Sequence, residues 1–244
     1  GISVQDEQGK INVLTAPAAV VARLQSFVDG RVADLKDHLT QYSGREAAWA
    51  YPQTVRTADG QGLAVDRADY FGTGSRVRVS KPGLKPIVAA VSNNLKFSAT
   101  PANAIETQPA IPSTYAGGVV EVEVRHPVNP NTAREETLAA IFEGVELVNL
   151  QNSRIGRAEA GKLAASLRGK TLARLEDFDL AVTSAGLSDD QRQAAIVNAF
   201  APSYAALNGT GTVGLAWRSH DAYTLEAFAS MNNPAGVQVA GRGF

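Results

Sequence analysis

Apolar residues recur at steps of mostly three and four between Thr15 and Gly44, a spacing typical of one face of an α-helix. Thr15 suits the N-cap of such a helix, Pro17 suits its first turn and Gly44 suits its C-terminal end. The pattern predicts one amphipathic helix about 40 Å long, along which the rest of the chain would pack. Its apolar positions are Val20, Val21, Leu24, Phe27, Val28, Val32, Leu35, Leu39 and Tyr42.

The first 14 residues alternate apolar and polar side chains on both sides of residues 6–9, where the sequence favours a turn. This pattern predicts an N-terminal β-hairpin. Because an isolated two-stranded hairpin is only marginally stable in water, we expect it to rest on the long helix, on another sheet or on a neighbouring molecule.

Short alternating segments between residues 50 and 128 are separated by Gly, Pro and Asn turns and predict antiparallel strands. In the segment 119–125, valines on one side alternate with Glu121 and Glu123 on the other. Residues 100–118 contain three prolines and few large apolar residues, and they predict an extended Pro-rich arm rather than a helix. So long an irregular segment requires a functional or interface explanation.

Helical patterns dominate from residue 129 onward. Thr132 with Glu135 fits a capping box, and Ser188 with Gln191 repeats the signal. The predicted helices cover residues 132–150, 155–185 with interruptions, 188–200 and 220–230.

Strands and helices are therefore segregated along the chain, which indicates an α+β fold and argues against a doubly wound sheet. The predicted order is an N-terminal β-hairpin, one long amphipathic helix, a β-rich middle with an extended Pro-rich arm, and an all-helical C-terminal half. Residues 1–128 would form the first part and residues 129–244 the helical region, packed together as one structural unit.

The composition narrows the classes of protein. With 244 residues, 44% hydrophobic and 19% charged, the chain is typical of a soluble globular protein with a real core. It has no cysteine, which excludes disulfides, thiolate metal sites and cysteine nucleophiles. No stretch approaches the ~20 apolar residues of a membrane span. The chain begins with Gly1, which is compatible with a trimmed mature terminus.

The net charge of -1 argues against a globally basic nucleic-acid-binding protein, but it hides an asymmetry. Residues 50–100 carry seven basic and three acidic residues, whereas residues 101–150 carry two basic and seven acidic residues. A solvated or edge-protected strand face is the commonest explanation of such charges. A second is that the basic region of one copy meets the acidic region of the next.

A third interpretation of the basic region is contact with a polyanion, because arginines on a strand can bind phosphates in a fork. Trp49, Tyr51, Tyr70 and Phe71 flank this region and would be able to stack on bases, although core packing is the commoner use of aromatic residues. The candidate nucleic-acid-binding residues are Arg56, Arg67, Arg76, Arg78, Lys81 and Lys85.

Few motifs point to catalysis or cofactors. The three histidines, His38, His126 and His220, are far apart and form no metal-binding motif, so we predict no metal site and expect surface or capping roles for the first two. Glycines at positions 209, 211 and 214 match a dinucleotide motif, but the preceding segment has a helical pattern, which favours a connector. No cofactor is predicted.

Two groups of residues have the chemistry of a catalytic site without the expected geometry. Ser219, His220 and Asp221 are the residue types of nucleophilic catalysis, but sequence neighbours usually point apart, so a helix cap is the favoured interpretation. Glu121 and Glu123 share one strand face about 7 Å apart, where paired carboxylates can do acid–base work. An exposed strand face is again the commoner explanation, and no catalytic residue is assigned.

The leading hypothesis is a self-assembling structural subunit, such as a coat, shell or tube protein, whose partners are copies of itself. The hairpin and the arm would contact neighbouring copies. The sequence does not determine the localisation, and a virion or another extracellular assembly is compatible with it. The first alternative is a nucleic-acid-binding module acting through the basic β region. The second alternative is a hydrolase that uses residues 219–221.

Overall fold

In the residues that the computed structural model describes, the fold contains a seven-stranded antiparallel sheet and five α-helices, which confirms the predicted α+β class. The structure describes residues 2–14, 16–28, 35–41, 47–60, 62–68, 71–94, 103–125, 127–147, 153–200, 215 and 223–227. Among these residues, no helix is long and apolar enough to cross a membrane.

The order of strands in the large sheet is β4-β10-β7-β8-β9-β6-β5. The strands β4 and β5 occupy the two ends of this order, although only two residues separate them in the sequence. Residues 47–58 therefore pair first with β10 and then with β6. The sheet must therefore curl until its two ends come together. The bounds are Ala47–Thr54 for β4, Thr57–Ala58 for β5, Leu63–Ala64 for β6, Arg76–Ser80 for β7, Ile87–Asn94 for β8, Ala104–Gln108 for β9 and Val119–Arg125 for β10.

The alternation seen in the sequence sets the two faces of this sheet. Val77 and Val79 on β7, together with Val120 and Val122 on β10, are fully buried. The residues between them are exposed or half-buried on the opposite face. The sequence prediction of strands with one apolar side is confirmed for β7 and for the segment 119–125.

The helices share one continuous core with the inner face of the sheet. The second helix, α2, is buried along most of its length, from Thr137 to Phe142. The last helix, α5, begins with the capping box expected from the sequence, because Ser188 and Gln191 exchange two hydrogen bonds of 3.1 and 3.3 Å between side chain and backbone. The bounds are Ala18–Phe27 for α1, Glu135–Phe142 for α2, Arg157–Leu167 for α3, Leu175–Thr183 for α4 and Asp189–Phe200 for α5.

The single helix predicted from Thr15 to Gly44 is wrong. The helix α1 ends at Phe27, and Leu39–Thr40 forms a short strand, β3, that pairs in parallel with β2 at Ile11–Asn12. Leu35 and Leu39 pack against the same core as α1. Because both pieces turn apolar residues toward one core, their spacing imitates a continuous helix. Residues 29–34 and 42–46 lie outside the described residues.

The predicted N-terminal hairpin is also wrong. The strand β1, Ile2–Asp6, pairs antiparallel with β11, Tyr223–Ala227, and not with β2. A strand therefore occupies part of the segment 220–230, where a short helix was predicted. The pairing joins residues more than 200 positions apart, which local alternation cannot indicate.

The Pro-rich segment does not extend away from the chain as an arm. Its residues 104–108 form β9, which lies between β8 and β6 in the large sheet. Further along, Ile111 and Tyr115 are buried. The segment is extended, as predicted, but its backbone hydrogen bonds and its apolar side chains are used within the same chain.

Candidate functional site: the open face of the sheet

One side of strands β4, β10, β7 and β8 points away from the core and forms a surface that we call the open face. Its rows follow from the strand register. Glu123 stands beside Trp49 on β4, and Arg76 stands beside Ala90 on β8. In the next row Glu121 is paired with Arg78, which stands beside Val88. The open face consists of Trp49, Thr54, Arg76, Arg78, Ser80, Val88, Ala90, Val119, Glu121 and Glu123.

Two ion pairs cross the centre of the open face. The Arg76 Nη1 donates to both carboxylate oxygens of Glu123, at 2.8 and 3.1 Å. The Arg78 Nε and Nη2 donate to Glu121 Oε2, at 3.1 and 2.6 Å. The side chains of Glu121 and Glu123 are only 19% and 12% exposed. The arginines are more exposed than the carboxylates that they bind.

Apolar side chains lie on both sides of these ion pairs. The Arg78 guanidinium carbon is 5.1 Å from the centre of the Trp49 ring, within the range of a cation–π contact. Val88 and Val119 are 41% and 38% exposed, although both belong to strands of the large sheet. The open face therefore combines a charge-balanced centre with two exposed valines and one half-buried tryptophan.

The β7–β8 loop, residues 81–86, continues the open face at one end. The Lys81 ammonium donates to the carbonyl oxygens of Thr114 and Ala116, at 2.8 and 2.6 Å. The Tyr115 hydroxyl donates to the Lys85 carbonyl oxygen. These bonds hold the loop against residues 113–116 while the Leu84 side chain stays exposed.

The six candidate nucleic-acid-binding residues do not form one free basic patch. Arg76 and Arg78 lie together on the open face, but each is paired with a glutamate. Arg56 pairs with Asp66 at 2.7 Å. Arg67 pairs with Asp179 on α4 at 3.3 Å, and Lys81 donates to the two backbone carbonyls described above. Lys85 is exposed.

The complementary basic and acidic regions of the sequence thus meet inside one chain. Arg76 and Arg78 come from the basic stretch, and Glu121 and Glu123 come from the acidic stretch. Their pairing across β7 and β10 accounts for this part of the charge asymmetry without a second molecule. It also gives Glu121 and Glu123 each an arginine partner, where the sequence suggested acid–base work as one possible use.

Two residues of interest are buried rather than available at the surface. His38, predicted to lie at the surface, is 3% exposed, and its Nδ1 lies 2.9 Å from Thr137 Oγ1 on α2. Tyr51 is buried, and its hydroxyl donates to the Leu215 carbonyl oxygen. Burial raises the pKa of Tyr51 well above its ordinary value.

The remaining candidate chemistry is not described by the structure. Residues 219–221, His126, Tyr70 and the glycines at 209, 211 and 214 all lie outside the described residues. Within the part of the chain that is described, no three histidine, aspartate or glutamate side chains are grouped as a metal ion would require.

Comparison with known protein families, curated proteins and solved structures found no match for this chain.

Sequence alternation alone identified the charged members of that face. It did not identify Trp49, Val88 and Val119 as their neighbours, since their placement depends on strand order. A signal for Val119 was nevertheless present, because the alternation in 119–125 assigns it to the same side as the two glutamates.

Proposed function

We propose that the chain is a self-assembling structural subunit, such as a coat, shell or tube protein, whose copies contact each other through the open face. The observation that carries the proposal is the combination of exposed Val88 and Val119 and half-buried Trp49 with two balanced ion pairs on one face of the sheet. Exposed aliphatic side chains on the same face of a sheet can mark an interaction site.

The balance of charge favours a partner that is itself neutral overall. A polyanion would have to compete with Glu121 and Glu123 for the two arginines, and the carboxylates would repel it. A second copy of the chain offers both signs of charge. The whole chain, with a net charge of -1, also repels its own copies only weakly.

The proposed contact differs from the one expected from the sequence. There, the N-terminal hairpin and the Pro-rich arm would reach neighbouring copies. In the structure, residues 104–108 pair with β8 and β6, and residues 2–6 pair with 223–227 of the same chain. The open face remains available in its place.

The solution mass of the purified chain tests the proposal. We expect light scattering after size exclusion to give a mass above 25.6 kDa that rises with protein concentration. Val88→Ser and Val119→Ser should lower this mass, since they remove exposed apolar surface from the contact. Leu180→Ser is the matched control, because Leu180 is an exposed apolar residue on α4 that does not belong to the open face. A 25.6 kDa monomer at every concentration and salt would refute self-assembly.

The alternative function is nucleic-acid binding, and one observation favours it. Arg56, Arg76 and Lys85 remain exposed, and arginine can exchange a carboxylate partner for a phosphate. Co-eluting material that absorbs at 260 nm, and that is released steeply with rising salt, would support this role. A protein peak free of such material, together with no retention on nucleic acid at low salt, would argue against it.

A further inference from the structure

The charges at the centre of the open face are arranged antisymmetrically. Arg76 and Arg78 lie on β7, and their partners Glu123 and Glu121 lie on the adjacent strand β10. A line midway between the two strands therefore separates two positive side chains from two negative ones. Antiparallel neighbours in a sheet are about 4.8 Å apart, so the two columns of charge are close together.

We propose that two copies of the chain pair through their open faces about a two-fold axis that runs parallel to the strands, midway between β7 and β10. This inference rests on the proposed self-assembly and specifies its first contact. The rotation exchanges the two columns of charge. Arg78 of one copy then faces Glu121 of the second copy, and Arg76 faces Glu123 of the second copy.

The charge pattern rejects the other simple two-fold arrangement. An axis lying in the interface but perpendicular to the strands would place β7 on β7 and β10 on β10. Arginine would then face arginine and glutamate would face glutamate. Like charges placed together across an interface oppose association, so complementarity selects the axis parallel to the strands.

One pair of residues outside the ion pairs, Trp49 and Ala90, fits the same axis. Along one row the order of side chains is Trp49, Glu123, Arg76 and Ala90, from β4 to β8. Rotation about the proposed axis reverses this row. Trp49 of each copy therefore comes opposite Ala90 of the second copy, so that a large flat side chain meets a small one.

The size of the contact predicts its strength. Four strands of about five residues cover roughly 19 Å by 17 Å, which is an area of about 320 Å². The area of the open face is therefore smaller than the ~800 Å² that each partner contributes to a standard stable interface. We therefore expect a weak dimer that dissociates with dilution. Added salt should weaken it further, because its centre is ionic.

Two charge-reversal variants test the axis by complementation. In Arg78→Glu, the altered side chain would face Glu121 of the second copy, and in Glu121→Arg it would face Arg78. Each variant alone should dimerise at least about tenfold more weakly than the native chain. An equimolar mixture should recover association as a heterodimer, because every facing pair again has opposite charges. Light scattering and a size-tagged copy of one variant would measure the mixed species.

Arg168→Glu is the matched control, because Arg168 forms an exposed pair with Glu135 outside the open face. It should leave the dimer unchanged. Circular dichroism should show that each variant is folded. If a reversal prevents folding, Ala90→Trp replaces it, since a second large side chain opposite Trp49 should weaken the dimer to a similar degree without changing any charge.

The outcomes separate this inference from the function on which it rests. A native chain that associates, with no recovery in the mixture, would refute the proposed axis and leave self-assembly standing. A native chain that is monomeric at all concentrations would refute both. Nucleic acid that binds Glu121→Arg more tightly and Arg78→Glu more weakly, without protein pairing, would assign the open face to a different partner and overturn the inference.

Discussion

The two faces of strands β7 and β10 differ in what their side chains contribute. On the inner face, Val77 and Val122 are fully buried, so each loses all its contact with water on folding. On the open face, the ion pairs stay partly hydrated, and exposed pairs of this kind contribute little to stability. The inner face therefore contributes most of the stability, and the open face is the surface that a binding partner would contact.

The largest expected effect contrasts two valines on β10. Val122→Thr keeps the shape of the side chain but buries a hydroxyl, and it should lower the free energy of unfolding by about 1–3 kcal/mol. Val119→Thr, three residues earlier on the open face, should change it by less than about 0.5 kcal/mol. Chemical denaturation of both variants measures the difference. Equal effects would mean that the two faces are not as distinct as their burial indicates.

A comparable contrast exists between two aromatic residues of β4. Trp49 lies under Arg78 on the open face, whereas Tyr51 is buried and donates to the Leu215 carbonyl. Tyr51→Phe should lower the free energy of unfolding at neutral pH by about 1–3 kcal/mol, because the buried carbonyl loses its donor.

The effect of Tyr51→Phe should depend on pH in a definite direction. Because the pKa of Tyr51 is raised in the folded protein, its contribution is complete below the ordinary tyrosine pKa of about 10 and decreases as pH rises above that value. The difference in stability between the native chain and Tyr51→Phe should therefore narrow at alkaline pH. A difference that stays constant between pH 8 and 11 would contradict the buried, protonated hydroxyl.

The smallest expected effect concerns the ion pair between Arg76 and Glu123. A double-mutant cycle with Arg76→Ala and Glu123→Ala should give a coupling of only about 0.2–1 kcal/mol in the unfolding of the monomer. Raising the salt concentration should reduce this coupling. A coupling of several kcal/mol would show that the open face stabilises the fold as strongly as the inner face does.

The prediction of the long helix failed because the periodicity of apolar residues indicates which side of a segment faces the core. It does not indicate whether the segment is one uninterrupted helix. Leu24 and Leu35 keep a helical spacing, but they belong to two separate pieces that pack on one core. The capping box at Ser188 was correct because every atom that it needs lies within four residues. The prediction of the N-terminal hairpin failed because the strand that pairs with β1 is more than 200 residues away in the sequence.

The composition of each face can be read from the sequence, because alternation within β7 and β10 assigns Val77, Val79, Val120 and Val122 to one side and the arginines and glutamates to the other. The sequence also indicated the α+β class and the start of α5. Which strands are neighbours, and therefore which charges meet, depends on the folded chain as a whole. Arg78 and Glu121 are 43 residues apart, and they became partners because the sheet places β10 beside β7. Strand order is set by the packing of the whole core, and no local pattern contains that information.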